Sequence, residues 1–250
     1  IGTAFHTLML EPQKFSSEVA YIPESAFPTR DNINQDGSIS MRGAGNKKAF
    51  EEFQAAHGGK IVLREKYYQM IMKMHESAIS QQSAKDLLDY QTSIIEQPFY
   101  VKYIFDPFTK KLKDIEQVDK DTKGCRKNEI LVKTRPDLMN PQKQYGLDVK
   151  SCLSVDPEKF AKDAAQLKYN IQAAMGLDIV SACTGIEIPS FFFIACEKNA
   201  PYDSVVFDVL ESDLDIAREI YLRRLLRIKE ASLNKEFPGF ESYAKNDYGV

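Results

Sequence analysis

The chain has 250 residues, of which 43% are hydrophobic and 28% charged, and its formal net charge is −3. This composition is typical of a globular protein and excludes a disordered or collagen-like chain. The length favours one large domain. The longest strongly apolar run, residues 191–196, is far shorter than the roughly 20 residues of a membrane helix, so no span is predicted. The acidic balance excludes a generic basic nucleic-acid coat, but it allows a DNA enzyme with a local basic groove.

The N-terminal part, up to about residue 90, is predicted to be mainly helical. Apolar residues predict a helix over residues 3–10. Residues 21–45 are rich in Pro, Asn, Asp, Gly and Ser, which is typical of a long loop. Further helices are predicted over residues 46–56, 62–80 and 84–89, the second with an apolar stripe at helical spacing.

From about residue 91 the pattern changes to strands separated by helices. Residues rich in β-branched and aromatic types predict strands over 94–105, 129–138, 145–151, 188–197 and 204–210, with two short strands within 106–128. A helix is predicted from Pro157, with a buried stripe of Phe160, Ala164, Leu167 and Ile171, and a closing helix over 213–234. The order predicts an α/β protein with a mixed sheet flanked by helices.

The chemically informative stretch places one acid, Asp137, eleven positions before Asp148 in the run Asp148-Val-Lys150. Residues i and i+2 of a strand share a face, so Asp148 and Lys150 project together. If the two strands pair, Asp137 stands beside them. Carboxylate oxygens suit Mg²⁺, and a nearby ammonium offsets charge on a phosphodiester transition state. The same acid-x-Lys pattern occurs at Asp121-Thr-Lys123, outside an apolar strand, and two surface acids with a lysine at a hairpin remain the alternative interpretation.

These residues resemble the PD-(D/E)XK nuclease superfamily through Pro136-Asp137 and Asp148-x-Lys150. More closely, the opening GTAFHTLMLEP, then TRPD, LDVKS, DPEKF and YNIQAA, in that order, resemble the RecE-type phage exonucleases related to lambda exonuclease. The resemblance covers nearly the whole chain. It implies a restriction-endonuclease-like core and a single nuclease domain over residues 1–250, helical to about residue 90 and with the catalytic sheet core in about 91–250.

The resemblance also implies roles for individual residues. Asp137, Asp148 and the backbone carbonyl of Val149 would bind a divalent metal, and Lys150 matches the catalytic lysine. His6 matches a histidine near the metals, and a neutral imidazole can ligate metal or hold its water. The implied metal is Mg²⁺, with Mn²⁺ as a substitute.

Arg135 and the helix that follows the acids are expected to position the DNA. That helix often carries a QxxxY motif in the superfamily; Gln172 matches the Gln, but Gly176 stands at the Tyr position and Tyr169 is the expected substitute. Two stretches are locally basic, residues 102–135 and residues 218–229. Basic side chains along a channel would contact phosphates without reading sequence.

Cysteine and histidine spacing bears on other cofactors and on the compartment. The four cysteines are widely spaced with no CxxC, and none follows Cys196. We therefore expect no zinc site and no iron–sulfur cluster, and a reducing, cytoplasmic compartment. The chain begins at Ile1 rather than Met, which indicates a fragment of a longer sequence.

The sequence as a whole predicts a Mg²⁺-dependent exonuclease acting on double-stranded DNA ends. By resemblance it digests 5′-to-3′, leaves a 3′ single strand for recombination with a single-strand annealing partner, and forms a ring-shaped homo-oligomer, a trimer or tetramer. Two alternatives stay open. One is a structure-specific or restriction-type endonuclease, and the other is a non-catalytic DNA-binding module on a nuclease fold.

Overall fold

The computed structural model describes residues 1–29, 33–35 and 38–237. Their helices are α1 (Gly2–Leu10), α2 (Pro12–Glu18), α3 (Ala44–Ala56), α4 (Glu65–Ser80), α5 (Gln82–Leu87), α6 (Pro157–Leu167), α7 (Tyr169–Thr184) and α8 (Glu211–Asn234). Their strands are β1 (Val19–Ile22), β2 (Ile61–Arg64), β3 (Ile94–Ile95), β4 (Phe99–Phe105), β5 (Leu112–Gln117), β6 (Glu129–Thr134), β7 (Leu138–Asn140), β8 (Tyr145–Cys152), β9 (Ser190–Glu197) and β10 (Ser204–Asp208). The strands form sheets in the orders β1-β2, β10-β9-β8-β7-β3 and β5-β4-β6.

One compact unit comprises residues 1–91, 148–161 and 193–207. Helix α1 buries Phe5 and Met9 completely, and α4 buries Ile71, Met74 and Ala78 along one face, as their spacing predicts. The predicted helix over 62–80 is wrong at its start. Residues 62–64 belong to β2, because Ile61, Val62 and Leu63 pair in parallel with β1.

The predicted loop over residues 21–45 contains more order than its composition indicates. Its first two residues end β1, and Ile22, Phe27 and Ile39 form a buried cluster against which Phe50 packs. Residues 30–32 and 36–37 of this loop lie outside the described residues.

A second compact unit comprises residues 92–147, 162–192 and 208–250, of which 238–250 lie outside the described residues. Strand β4 alternates buried and half-buried side chains and pairs antiparallel with β5 and β6. Only one strand, β5, is found between residues 106 and 128, where two were predicted. The predicted strand over 94–105 is interrupted after Ile95, where Glu96 has a φ of 50°.

The predicted strand over residues 129–138 is two strands in different sheets. Strand β6 ends at Thr134 and pairs with β4, whereas β7 begins at Leu138 and pairs antiparallel with β3 and β8. Pro136 lies at the break and explains it, because a proline has no N–H to donate to a strand ladder.

The predicted helix from Pro157 is likewise divided in two. Lys168 has a left-handed backbone, with φ 61°, and ends α6 before α7 begins. Phe160 is buried, but Leu167 is 60% exposed, so the predicted apolar stripe does not continue through the break. Helix α7 then buries its own face, including Ala173 and Leu177, and packs along α8.

No helix in the described part of the chain combines the length and apolarity needed to cross a bilayer.

Candidate functional site

The site is built on the β7–β8 hairpin. Leu138 pairs with Leu147 and Met139 with Gly146 in antiparallel register. The backbone of Gly146 is closely packed: a Cβ there would lie 2.6 Å from a ring carbon of Phe191 and 2.8 Å from the Met139 sulfur. At the other end of β7, the Asn140 amide donates to the hydroxyls of Thr92 (2.8 Å) and Ser93 (3.1 Å). The hairpin is therefore held on both sides by specific contacts.

Asp137 immediately precedes β7 and is 8% exposed. The backbone N–H of Glu96 donates to the Asp137 carbonyl at 3.0 Å, which ties the residue after β3 to the start of β7. The Glu96 carboxylate in turn pairs with the Arg135 guanidinium at 3.0 Å. At this position Glu96 has a left-handed backbone conformation, which non-glycine residues rarely adopt. Such strain recurs at functional sites.

Asp148 and Lys150 lie on β8, two residues apart on the same face. The Lys150 ammonium nitrogen is 2.7 Å from an Asp148 carboxylate oxygen. The Asp148 side chain is 1% exposed and that of Lys150 15% exposed. The ammonium also lies 5.9 Å from the centre of the Phe193 ring, and Val149 between the two residues is fully buried. A carboxylate and an ammonium this close attract each other strongly in such a buried setting.

Three side chains offer ligand atoms that lie within 4.8 Å of one another: His6, Glu96 and Asp137. The two carboxylates suit a hard divalent cation such as Mg²⁺ or Mn²⁺, and a neutral imidazole can ligate a metal or hold its water. Two of the three residues were predicted from the sequence, and Glu96 was not. The signal available for Glu96 was an acid between the strand-forming pair Ile94-Ile95 and Pro98.

The predicted DNA-positioning residues lie in the segment between β6 and β7 and on α7. Arg135 is engaged by Glu96, Tyr169 is half-buried in the first turn of α7, and Gln172 is exposed one turn later. The structure also explains the missing tyrosine of the QxxxY pattern. Gly176 is buried, and a Cβ there would lie 2.8 Å from the terminal carbon of Met139, so β7 fills the space that a larger side chain needs.

A family model described as a "PDDEXK-like domain of unknown function (DUF3799)" matches residues 1–243. The chain belongs to this PDDEXK-like family. The resemblance to the PD-(D/E)XK superfamily and the α/β fold class are thereby confirmed. The roles predicted for the individual site residues stay predictions.

Among solved structures, the chain is similar to that of a "putative exonuclease" from Eubacterium rectale. The TM-score is 0.50 and the sequence identity 16%, over 92% of this chain and 66% of that one. This similarity shows a shared fold. The chain spans just under two thirds of the length of that structure. No match was found among the curated proteins.

Proposed function

We propose that this chain of the PDDEXK-like family is a divalent-metal-dependent deoxyribonuclease that removes nucleotides from double-stranded DNA ends. The observation that carries the proposal is the pairing of Lys150 with Asp148 at 2.7 Å. Asp137 and Asp148 are the chain neighbours of Leu138 and Leu147, which pair in the hairpin. Two acids and an ammonium are what metal-assisted phosphodiester hydrolysis requires.

Each residue has a definite role in this proposal. Asp137, Asp148, the Val149 carbonyl and His6 would hold Mg²⁺, or Mn²⁺ in its place, and Glu96 would be a further ligand. The chemistry supplied there by such a cation would be activation of the attacking water and neutralisation of phosphate charge. Lys150 orients the attacking water and stabilises the extra negative charge of the transition state.

The finer features rest on the resemblance to RecE-type exonucleases. We propose a single nuclease domain over the chain, 5′-to-3′ digestion, and a 3′ single strand passed to an annealing partner during recombination. We also propose a ring of subunits around the substrate. Arg135, Tyr169 and Gln172 would position the DNA.

The proposal is tested by digesting linear and covalently closed circular duplexes of one sequence with Mg²⁺, Mn²⁺ or excess EDTA. We expect loss of the linear duplex only, only with metal, and no cleavage by Asp148→Asn. Duplexes labelled at the 5′ end or at the 3′ end of one strand report the direction of digestion. Cutting of closed circles would show that the protein is an endonuclease and not an exonuclease. Tight DNA binding by the wild-type protein without any cleavage would support the alternative of a non-catalytic DNA-binding module.

A further inference from the structure

The β4–β5 hairpin carries the most exposed large hydrophobic side chain of the described residues at its tip, Phe108, which is 94% exposed. A single exposed apolar residue needs no explanation by itself. Phe108, however, sits in a well-ordered turn. The Asp106 carboxylate accepts the backbone N–H groups of Phe108 (2.7 Å) and Thr109 (3.3 Å), and these bonds lower the pKa of Asp106. The Lys111 carbonyl accepts the N–H of Asp106 across the turn at 2.8 Å. The ring is thus presented to solvent on a fixed support.

Three lysines lie within five residues after Phe108. Lys110, Lys111 and Lys113 follow it in the sequence, and all three are exposed. The Lys110 ammonium pairs with Glu230, which links the tip of the hairpin to α8 within the same compact unit. The hairpin therefore has a defined position next to the basic half of α8.

A groove of about 580 Å³ separates the hairpin from α8. Its apolar surface comes from Leu112, Leu222 and Leu226, and its cations are Lys110, Lys111, Arg223 and Arg227. Two acids, Glu219 and Glu230, also line it, so the groove carries two more positive than negative side chains. A groove lined by leucines and by an excess of cations suits a ligand that has flat apolar faces and regularly spaced anions.

We propose that the Phe108 hairpin and this groove bind single-stranded DNA, with a base stacked on Phe108 and phosphates on Lys111 and Arg223. Proteins that hold single strands combine stacking aromatics with a basic groove. Intact duplex DNA offers phosphates, but its base faces are already stacked and cannot take up the ring. A second copy of this face would bring like charges together. The proposal deepens the proposed nuclease function, because end digestion produces a single strand, and it rests on that function.

The test compares two probes under chelating conditions, so that no cleavage occurs: fluorescent oligo(dT) and an abasic oligonucleotide of equal length. Stacking on one aromatic ring corresponds to about a 5- to 150-fold change in affinity. We expect Phe108→Ala to weaken oligo(dT) binding by a factor in this range and to leave abasic binding unchanged within twofold. Phe108→Trp should bind as wild type, whereas Phe108→Leu should behave as Phe108→Ala, because leucine is apolar but cannot stack.

The phosphate contacts are tested with Lys111→Ala/Arg223→Ala, which should weaken both probes alike. It should also reduce the slope of log affinity against log salt by about 1.4, at about 0.7 per single-strand phosphate contact. Ile216→Ala is the matched control, since Ile216 is 55% exposed on α8 but does not line the groove; its affinities should equal wild type.

Three results would overturn the inference. The first is an equal effect of Phe108→Ala on the binding of both probes, and the second is wild-type affinity of Phe108→Leu for oligo(dT). The third is a change in the oligomer mass of Phe108→Ala in sedimentation, which would show that the face is an interface between copies. Failure of the nuclease proposal is distinguished separately, because it is read from metal-dependent cleavage of duplex ends by the wild-type protein. Normal cleavage with no Phe108 effect refutes only the single-strand surface.

Discussion

Lys150 is the residue whose chemistry is most directly testable, because its ammonium is held 2.7 Å from Asp148. We expect Lys150→Ala to lower the single-turnover cleavage rate by about 10²–10³-fold, since a group that stabilises transition-state charge has an effect of this size. DNA affinity measured with EDTA should change little. Lys123→Ala is the control, because Lys123 belongs to the other acid-x-Lys run and is exposed. A normal rate in Lys150→Ala would make its pairing with Asp148 incidental to catalysis.

Glu96 allows stability and function to be separated at one position. Glu96→Gln should raise the Mg²⁺ concentration for half-maximal activity about tenfold or more, because it removes a carboxylate from the group with His6 and Asp137. Glu96→Gly should raise this Mg²⁺ concentration as well. Glycine, however, adopts the φ of 50° found at this position without strain. The free energy of unfolding of this variant should therefore stay within about 1 kcal/mol of wild type, since the lost pair with Arg135 is a surface contact. Unchanged metal titrations in both variants would exclude Glu96 from the metal site.

The residues of the site differ in how far the sequence could predict them. Asp137, Asp148 and Lys150 could be proposed from the sequence because they lie close together in it, on or next to predicted strands. Glu96 could not be, since its place depends on a left-handed turn and on a hydrogen bond to a residue 41 positions later, Asp137. Neither feature leaves a periodic signal in the sequence.

Two glycines form a matched pair of tests at the scale of the elements. At Gly146 a Cβ would meet the Phe191 ring at 2.6 Å, and a buried ring on β9 cannot move aside cheaply. Gly146→Ala should cost about 1–3 kcal/mol of unfolding free energy and reduce cleavage by displacing the β7–β8 hairpin. Within 4 Å of a Cβ at Gly176, the one atom of the described residues outside the helix's own backbone is the flexible end of Met139, at 2.8 Å. Alanine also favours the helix by about 1 kcal/mol. Gly176→Ala should therefore be nearly neutral.

Urea unfolding and cleavage rates of both glycine variants check this expectation. Equal destabilisation by the two alanines would show that both helix α7 and the hairpin tolerate no added methyl group. A neutral Gly146→Ala would contradict the close packing on which the position of the acids depends.

The order of the elements was predictable from periodicity, but where they break was not. Pro136 is visible in the sequence, yet only pairing shows that β6 and β7 belong to different sheets. Lys168 divides α6 from α7 through a left-handed conformation and without a glycine or proline, so the break leaves no signal in the sequence. The sequence predicts a helix over most of β2 because the apolar residues before α4 fit either the helical or the strand period.

At the scale of the whole molecule, metal binding should appear as added stability. A metal that binds only the folded chain stabilises it by about 2.7 kcal/mol at a hundred times its Kd. For a chain of this length, each kcal/mol shifts Tm by about 2–4 °C. We expect Mn²⁺ or Mg²⁺ at saturation to raise the Tm of wild type by about 5–10 °C in thermal unfolding without DNA. The measurement therefore needs no substrate and no turnover.

Asp137→Asn, Glu96→Gln and His6→Ala should each reduce that shift, because each removes one ligand of the group. His6→Ala is the most demanding of these tests, since His6 lies on α1, far in sequence from the two acids. Ile216→Ala should keep the full shift, as an exposed residue of α8 outside the group. If His6→Ala retained the wild-type shift while Asp137→Asn lost it, the metal would be held by the acids and His6 would be a packing residue. If Asp137→Asn also retained the shift, the metal would bind elsewhere and the site would have to be reassigned.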